Sequence, residues 1–246
     1  MSRMVGGVQP GTEFGGYRIE AVEREGAGAA VLIARDPREG RSVALHVAGA
    51  PGTLAAAGFL ERAHRLGAVE HPHLLGVYDA RTLEGRAVAV AQAPPGRRLD
   101  ALVAAGPLAG AAALRIARQV ASAVDALEEV GAEPPPLAAE RIWVDDAGDA
   151  HLDGLDAHVG LEPAAPAASS SAAIARLLED IAAELPAGGR AVLARASDGA
   201  YLSAGQLADE LRDVERRAAL RRERIAIAVA AAATLAVVAL LALTFG

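Results

Sequence analysis

Residues Ile225 to Phe245 read IAIAVAAAATLAVVALLALTF, 21 residues without a charged side chain. As an α-helix this stretch measures roughly 31 Å, the thickness of a bilayer's hydrocarbon core. Nothing else in the chain limits its fold as strongly: the stretch predicts a membrane-spanning helix, with the rest of the chain folding on one side of it. RRAALRRER comes just before and places Arg216, Arg217, Arg221, Arg222 and Arg224 on that flank. Arginine there predicts a single pass through the cytoplasmic membrane, with the preceding domain in the cytoplasm and the C-terminus outside. The same arginines are candidate contacts for anionic lipid, each contributing about 1 kcal/mol near a charged surface. The N-terminal MSRMVGGVQPGTEFGG lacks the apolar core of a signal peptide.

A formal charge of −7 and a pI near 5.4 exclude general attraction to nucleic acid. The chain has no cysteine, so a disulfide framework, a thiolate metal site and a cysteine nucleophile are all excluded. It also has no lysine and no asparagine; all 24 basic residues are arginine. No chemical step here can use a lysine amine or an asparagine amide.

Periodicity divides the remainder. Residues 1–16 are Gly-rich and polar and read as a flexible arm. From Tyr17, the runs YRIEAV, AAVLIARD, SVALHVAG and RAVAVAQA are short and apolar or alternating, as strands are. GTLAAAGFLERAHRLGAV reads as a helix among them, and EHPHLLGVYDA as a turn and a further strand. Two helices then follow. In the second, Leu114, Ala117, Val120, Ala121, Val124 and Leu127 form a helical stripe. GAEPPPLAAERIWVDDAGDAHLDGLD reads as a stiff extended segment leading into a hairpin, Ile142–Val144 and Ala150–Leu152. Helices are expected at about 172–185, 188–197 and 203–222, the last running on into the membrane span. The fold class is thus α+β, with a five-stranded, one-helix lobe over residues 17–92 and a shortened, mainly helical lobe over 93–215. A basic juxtamembrane segment at 216–224 and the membrane helix at 225–245 complete the division.

This order resembles the bacterial serine/threonine protein kinases that carry a cytoplasmic kinase domain and one membrane span. HPHLLGVYD and YLSAGQLADEL carry the resemblance most specifically, within a similarity running from about Tyr17 to Val214. The resemblance implies a two-lobed protein-kinase-like fold with nucleotide bound between the lobes.

The residues that such an activity requires are missing. The phosphate-covering Gly-x-Gly-x-x-Gly falls on Arg24, Gly26 and Ala29, which keeps one glycine of three. The strand lysine falls on His46, and its usual glutamate partner on Arg62, next to Glu61. The catalytic His-Arg-Asp falls on Pro134, Pro135 and Pro136, and the metal-binding asparagine on Arg141. The Asp-Phe-Gly that holds magnesium falls on Gly154-Leu155-Asp156; a slip of one or two residues instead brings Asp153 or Asp156 to the metal position. No catalytic residue and no metal site is therefore expected. An adenine slot is expected to survive as Gly26, Val31, Ala44 and His46 with the Ala91 to Ala93 hinge. It predicts no required cofactor, and at most weak ATP binding that needs no Mg²⁺.

Other candidates have plainer readings. His71 and His73 sit in a turn, Asp145, Asp146 and Asp149 fall in a hairpin turn without calcium-loop spacing, and Ser169 to Ser171 form a linker or helix cap. The Ala/Pro-rich segment after Asp156 lacks the family's substrate-docking anchor. The expected function is a membrane-anchored pseudokinase, a non-catalytic scaffold or allosteric partner of an unidentified protein. The alternatives are a kinase with residual or unconventional ATP-dependent activity and a tail-anchored adaptor.

Overall fold

A computed structural model describes residues 8–26, 29–48, 53–155, 169–186 and 188–245, with side chains described up to 235. Strands β1 (Glu13–Phe14), β2 (Tyr17–Gly26), β3 (Ala29–Asp36), β4 (Arg41–Ala48), β5 (Val77–Leu83) and β6 (Arg86–Gln92) form one sheet in the order β1-β2-β3-β4-β6-β5. Helix α1 (Leu54–Leu66) crosses between β4 and β5. It starts at Thr53, whose hydroxyl accepts from the Ala56 amide, and buries Ala56, Phe59, Ala63 and Leu66 at helical spacing.

The expected five strands are six. The arm predicted to be loose is pinned from Gly11 onward: the Gly11 amide donates to the Ile19 carbonyl, β1 pairs with β2, and Phe14 is buried. A two-residue strand in Gly-rich sequence has no periodicity to read.

After Gln92 the chain turns helical. The short strand β7 (Arg97–Arg98) pairs with the hairpin β8 (Ile142–Val144) and β9 (Ala150–Leu152). Helices α2 (Leu99–Val103), α3 (Gly110–Glu129), α4 (Ser170–Ile181), α5 (Gly189–Ser197) and α6 (Ala204–Phe245) build the second lobe. The core axis is α3. Every residue of the predicted stripe is fully buried on it, and Ala113, Ile116 and Ala123 are buried as well, so the helix is covered on most sides. Gln119, also buried, ties α3 to the hairpin: its side-chain oxygen accepts from the Ala150 amide and its nitrogen donates to Asp149. Asp149 in addition receives Arg115 at 2.6 Å. The acidic turn is therefore a fastening between the hairpin and α3.

Helix α6 is 42 residues long, about 63 Å. Its first turns bury Ala204, Leu207, Ala208, Leu211 and Val214, and Asp125 of α3 caps the Gly205 amide at 2.7 Å. Beyond Ala218 its side chains are exposed as far as they are described, Ile225, Ile227, Val229 and Leu235 among them. Among the described residues no helix is long and apolar enough to cross a membrane. The predicted span Ile225–Phe245 is helical throughout, and the side chains of its second half lie outside the described residues.

Gly96 sets the joint between the lobes. Its φ is +65°, and a Cβ there would lie 2.1 Å from the Val144 carbonyl oxygen. Gly40 has the same φ with nothing within 4 Å. Left-handed backbone alone costs an L-residue about 1–2 kcal/mol. Gly40→Ala should therefore cost about 1 kcal/mol in urea unfolding, and Gly96→Ala at least about 2 kcal/mol more, because β7 must move off β8.

Candidate functional site: the cleft between the lobes

The sheet register decides which side chains face the cleft. Val22 of β2 lies opposite Leu32, so regular pairing would set Glu23 opposite Val31. A bulge after Val22 inserts one residue and sets Arg24 there instead. Val31 is in turn opposite His46, and His46 opposite Ala89. Directly opposed residues share a face of the sheet, so Arg24, Val31, His46 and Ala89 form a row across it.

The hairpin of the other lobe presents Asp153 to that row. Arg24 Nη2 donates to Asp153 Oδ2 at 3.2 Å, and His46 Nε2 is 3.9 Å from Asp153 Oδ1. These side chains are 13%, 4% and 2% exposed for Arg24, Asp153 and His46 respectively, so the ion pair is buried where water screens it little. Oδ1 also accepts the Leu155 amide at 3.0 Å, and the Asp153 amide donates to the Arg141 carbonyl at 2.8 Å. Asp153 is thus the carboxylate that faces the strand histidine; Asp156 lies outside the described residues.

Two further arginines brace the same turn through backbone oxygens. Arg141 is buried and donates to the Leu155 carbonyl at 3.1 Å. Arg62 of α1 reaches the Glu133 carbonyl at 2.7 Å and the Gly154 carbonyl at 3.3 Å. Where a glutamate would hold the strand lysine, Arg62 instead fastens α1 to the segment that enters the three prolines. Pro135 is buried, and Gly154 packs against Leu66 and Leu74, with space for a Cβ only at 3.2 Å from Leu74 Cδ1.

His46 has two opposed influences. Burial lowers its pKa most, and the Arg24 and Arg141 charges lower it further; Asp153 raises it and loses. The imidazole is accordingly neutral at pH 7. Its Nδ1 is buried without a hydrogen-bond partner, an arrangement that costs about 1–3 kcal/mol.

The predicted adenine walls Val31, Ala44 and Ala91 are 3%, 1% and 1% exposed. They belong to the same apolar cluster as Leu66, Leu74, Leu99, Leu152 and Leu155, which runs from the sheet into the helical lobe. Gly26 ends β2, and Ala93 follows β6. The structure therefore brings Val31, Ala44, His46, Ala91, Arg141 and Gly154 together between the lobes. Sequence reasoning identified Arg24 as a lost glycine and missed its positive role. The only signal was a lone arginine in an otherwise acidic and glycine-rich run, VEREGAG.

The donors gathered here among the described residues do not by themselves complete a magnesium site. Mg²⁺ needs an octahedron of oxygens at about 2.1 Å. Arg141 has donors and no lone pair, and the Asp153 oxygens are already engaged by Arg24 and the Leu155 amide. Pro136 supplies no base for an incoming hydroxyl.

The histidine pair at 71 and 73 is used in packing. His71 Nε2 is 3.0 Å from Ser122 Oγ, and His73 Nδ1 is 3.0 Å from the Ala150 carbonyl. Among the described residues no group of three potential ligands gathers for a metal. Ser169 caps α4 by accepting the Ala172 amide at 3.2 Å. The segment expected to lack a substrate anchor, 157–168, lies outside the described residues.

No protein-family model matches the chain. Over 148 residues it is 29% identical to the serine/threonine-protein kinase PknD of two strains of Mycobacterium tuberculosis, an alignment that covers 58% of this chain and 22% of that protein. The chain thus matches less than a quarter of that relative's length. The crystal structure of the M. tuberculosis PknI kinase domain superposes with a TM-score of 0.67 at 19% identity, covering 84% of this chain and 99% of that domain. A double mutant of the same domain superposes at 0.64 and 20% identity, covering 85% and 99%. The fold is the two-lobed α+β fold of protein kinase domains, and the chain is a kinase-like protein with sequence similarity to bacterial serine/threonine kinases.

Two outcomes test the cleft. Breaking a buried ion pair from one side costs about 3–5 kcal/mol, so Arg24→Ala and Asp153→Ala should each destabilise by about 3 kcal/mol. The double variant should lose at least about 1 kcal/mol less than the sum of the two; additive losses would mean that the pair does not hold the lobes.

The pH dependence follows from the His46 shift. A base whose folded pKa lies below its unfolded value of about 6.5 binds more protons when unfolded. Its stability is intact above that value and falls as acid protonates the unfolded chain. Between pH 7 and 5 the stability measured by urea unfolding should fall, and His46→Gln should remove part of that fall. His71 and His73, also lowered chiefly by burial, account for part of the remainder.

Proposed function

We propose that this chain is a membrane-anchored pseudokinase, a non-catalytic scaffold or allosteric partner for another protein. The observation that carries the reading is the Arg24–Asp153 pair. Arg24 replaces a glycine that would close over phosphate, and its guanidinium lies on the carboxylate that a magnesium ion would need. Charge that a metal nucleotide would neutralise is neutralised from within the chain. Pro136 and Arg141 remove the base and the second metal ligand, and neutral His46 cannot clamp phosphate. The lobes are then held by their own side chains, so the molecule presents one fixed shape without nucleotide. We also propose that Asp153, rather than Asp156, marks the former magnesium position. ATP binding without Mg²⁺ is at most weak, and a protein partner is the expected ligand.

The anchor is the helix Ile225–Phe245, with the domain in the cytoplasm and the arginine flank against the inner leaflet. What supports it is an uncharged sequence of spanning length that continues α6 and exposes Ile225, Ile227, Val229 and Leu235.

Residual or unconventional ATP-dependent activity is kept as a second reading by one fact: Asp153 is present and faces the strand histidine. Full-length protein in detergent, given ATP with Mg²⁺ or Mn²⁺ and generic protein substrates, should transfer no phosphate, and Mg²⁺ should add nothing to any thermal shift with ATP. Transfer that disappears in Asp153→Ala would overturn the pseudokinase reading and establish the enzyme.

A further inference from the structure

A cavity of about 700 Å³ opens where α6 leaves the domain, between the start of α3, the loop after α4 and the juxtamembrane turns of α6. Its walls are mostly small apolar side chains, Ala218 among them, and its cations are Arg217, Arg221 and Arg222; Glu184 also lines it. A smaller cavity of about 200 Å³ shares Ala218 and Arg222 and extends the groove along α6. Arg217 Nε donates to the Asp213 carbonyl at 3.2 Å. Arg221 and Arg222 are exposed and make no ion pair among the described residues.

The order of chemistry along α6 selects the occupant. Arg217, Arg221 and Ile225 are spaced four apart, so they lie along one side of the helix. The side is cationic at the domain and becomes apolar at Ile225, the first residue of the uncharged stretch. A ligand lying along it meets guanidinium groups at one end and hydrocarbon at the other. A free phosphate would use the arginines and leave the apolar walls wet. An amphiphile with a negative head uses both.

We propose that this groove binds one anionic phospholipid, with its phosphate among Arg217, Arg221 and Arg222 and its acyl chains running along α6 from Ile225. The proposal rests on the membrane-anchor reading for the source of the lipid and specifies which site on the domain reads the headgroup. Binding there would join α6, the α3 start and the α4–α5 loop through one ligand, fixing how the domain sits against the bilayer.

The test uses the full chain in neutral detergent, titrated with dihexanoyl phosphatidylglycerol, dihexanoyl phosphatidylcholine or glycerol phosphate. The phosphatidylglycerol is expected to raise the thermal midpoint saturably and to be retained as a single adduct in native mass spectrometry. The other two should give neither. Arg221→Ala with Arg222→Ala should weaken the effect at least about tenfold. Ala218→Trp, which fills the groove and keeps every arginine, should abolish the adduct. Equal binding of phosphatidylcholine, binding of glycerol phosphate alone, an undiminished effect in the double arginine variant, or a retained adduct in a folded Ala218→Trp protein would each overturn the site. Flotation with pure phosphatidylcholine vesicles tests the anchor separately. Flotation without the phosphatidylglycerol adduct leaves the anchor and removes the site, and the adduct without flotation does the reverse.

Discussion

Everything in the cleft depends on one buried ion pair. Arg24 and Asp153 come from different lobes, and neither charge can remain there alone: an unpaired buried ion costs several kcal/mol. Separating the lobes would expose each ion to water, but it would also open the apolar cluster that runs from Val31 and Ala44 to Leu152 and Leu155. Electrostatics and packing therefore favour the same closed arrangement. Arg62 and Arg141 add to it by donating to main-chain oxygens of the turn that carries Asp153. Several cationic side chains gather around a single carboxylate, the reverse of a site built to collect carboxylates around a metal.

The sheet supplies the geometry of that arrangement. The row Arg24, Val31 and His46 exists because antiparallel pairing places opposed residues on one face, and because a bulge shifts β2 by one residue. Without the bulge, Glu23 would stand in the row and meet Asp153 with like charge. As the chain stands, Glu23 pairs instead with Arg98 of β7 at 3.3 Å. A one-residue irregularity thus decides whether the lobes attract or repel.

Much of the fold was legible in the sequence, and the boundary of legibility is physical. The stripe on α3, the alternating strands and the Ile142–Leu152 hairpin follow from periods of 3.6 and 2, which burial imposes directly on residue choice. The residue types at Pro134 to Pro136 and Arg141 were legible as they stand, without any knowledge of the fold. The bulge in β2 was not, since inserting one residue leaves no mark on composition. The contact between Asp153 and His46 was not either: aspartates three residues apart after a short hairpin fit the pattern equally, and the approach of Asp153 Oδ1 to His46 is a property of the folded chain. Arg62 was read as a lost glutamate because its acceptors, the Glu133 and Gly154 carbonyls, are main-chain atoms that any sequence possesses.

The length of α6 has a mechanical meaning. From Gln206 to Phe245 it contains neither proline nor glycine, the residues at which helices bend most readily. Its first turns are bolted to α3 by Asp125 at Gly205 and by Arg118 to Glu215 at 2.6 Å. A flexible tether would absorb any rotation or tilt applied at its far end. This rod has no joint in which to absorb it. A tilt of about 10° at one end displaces a 63 Å rod by roughly 11 Å at the other, and the first structure to receive that torque is α3, the helix around which the second lobe is packed.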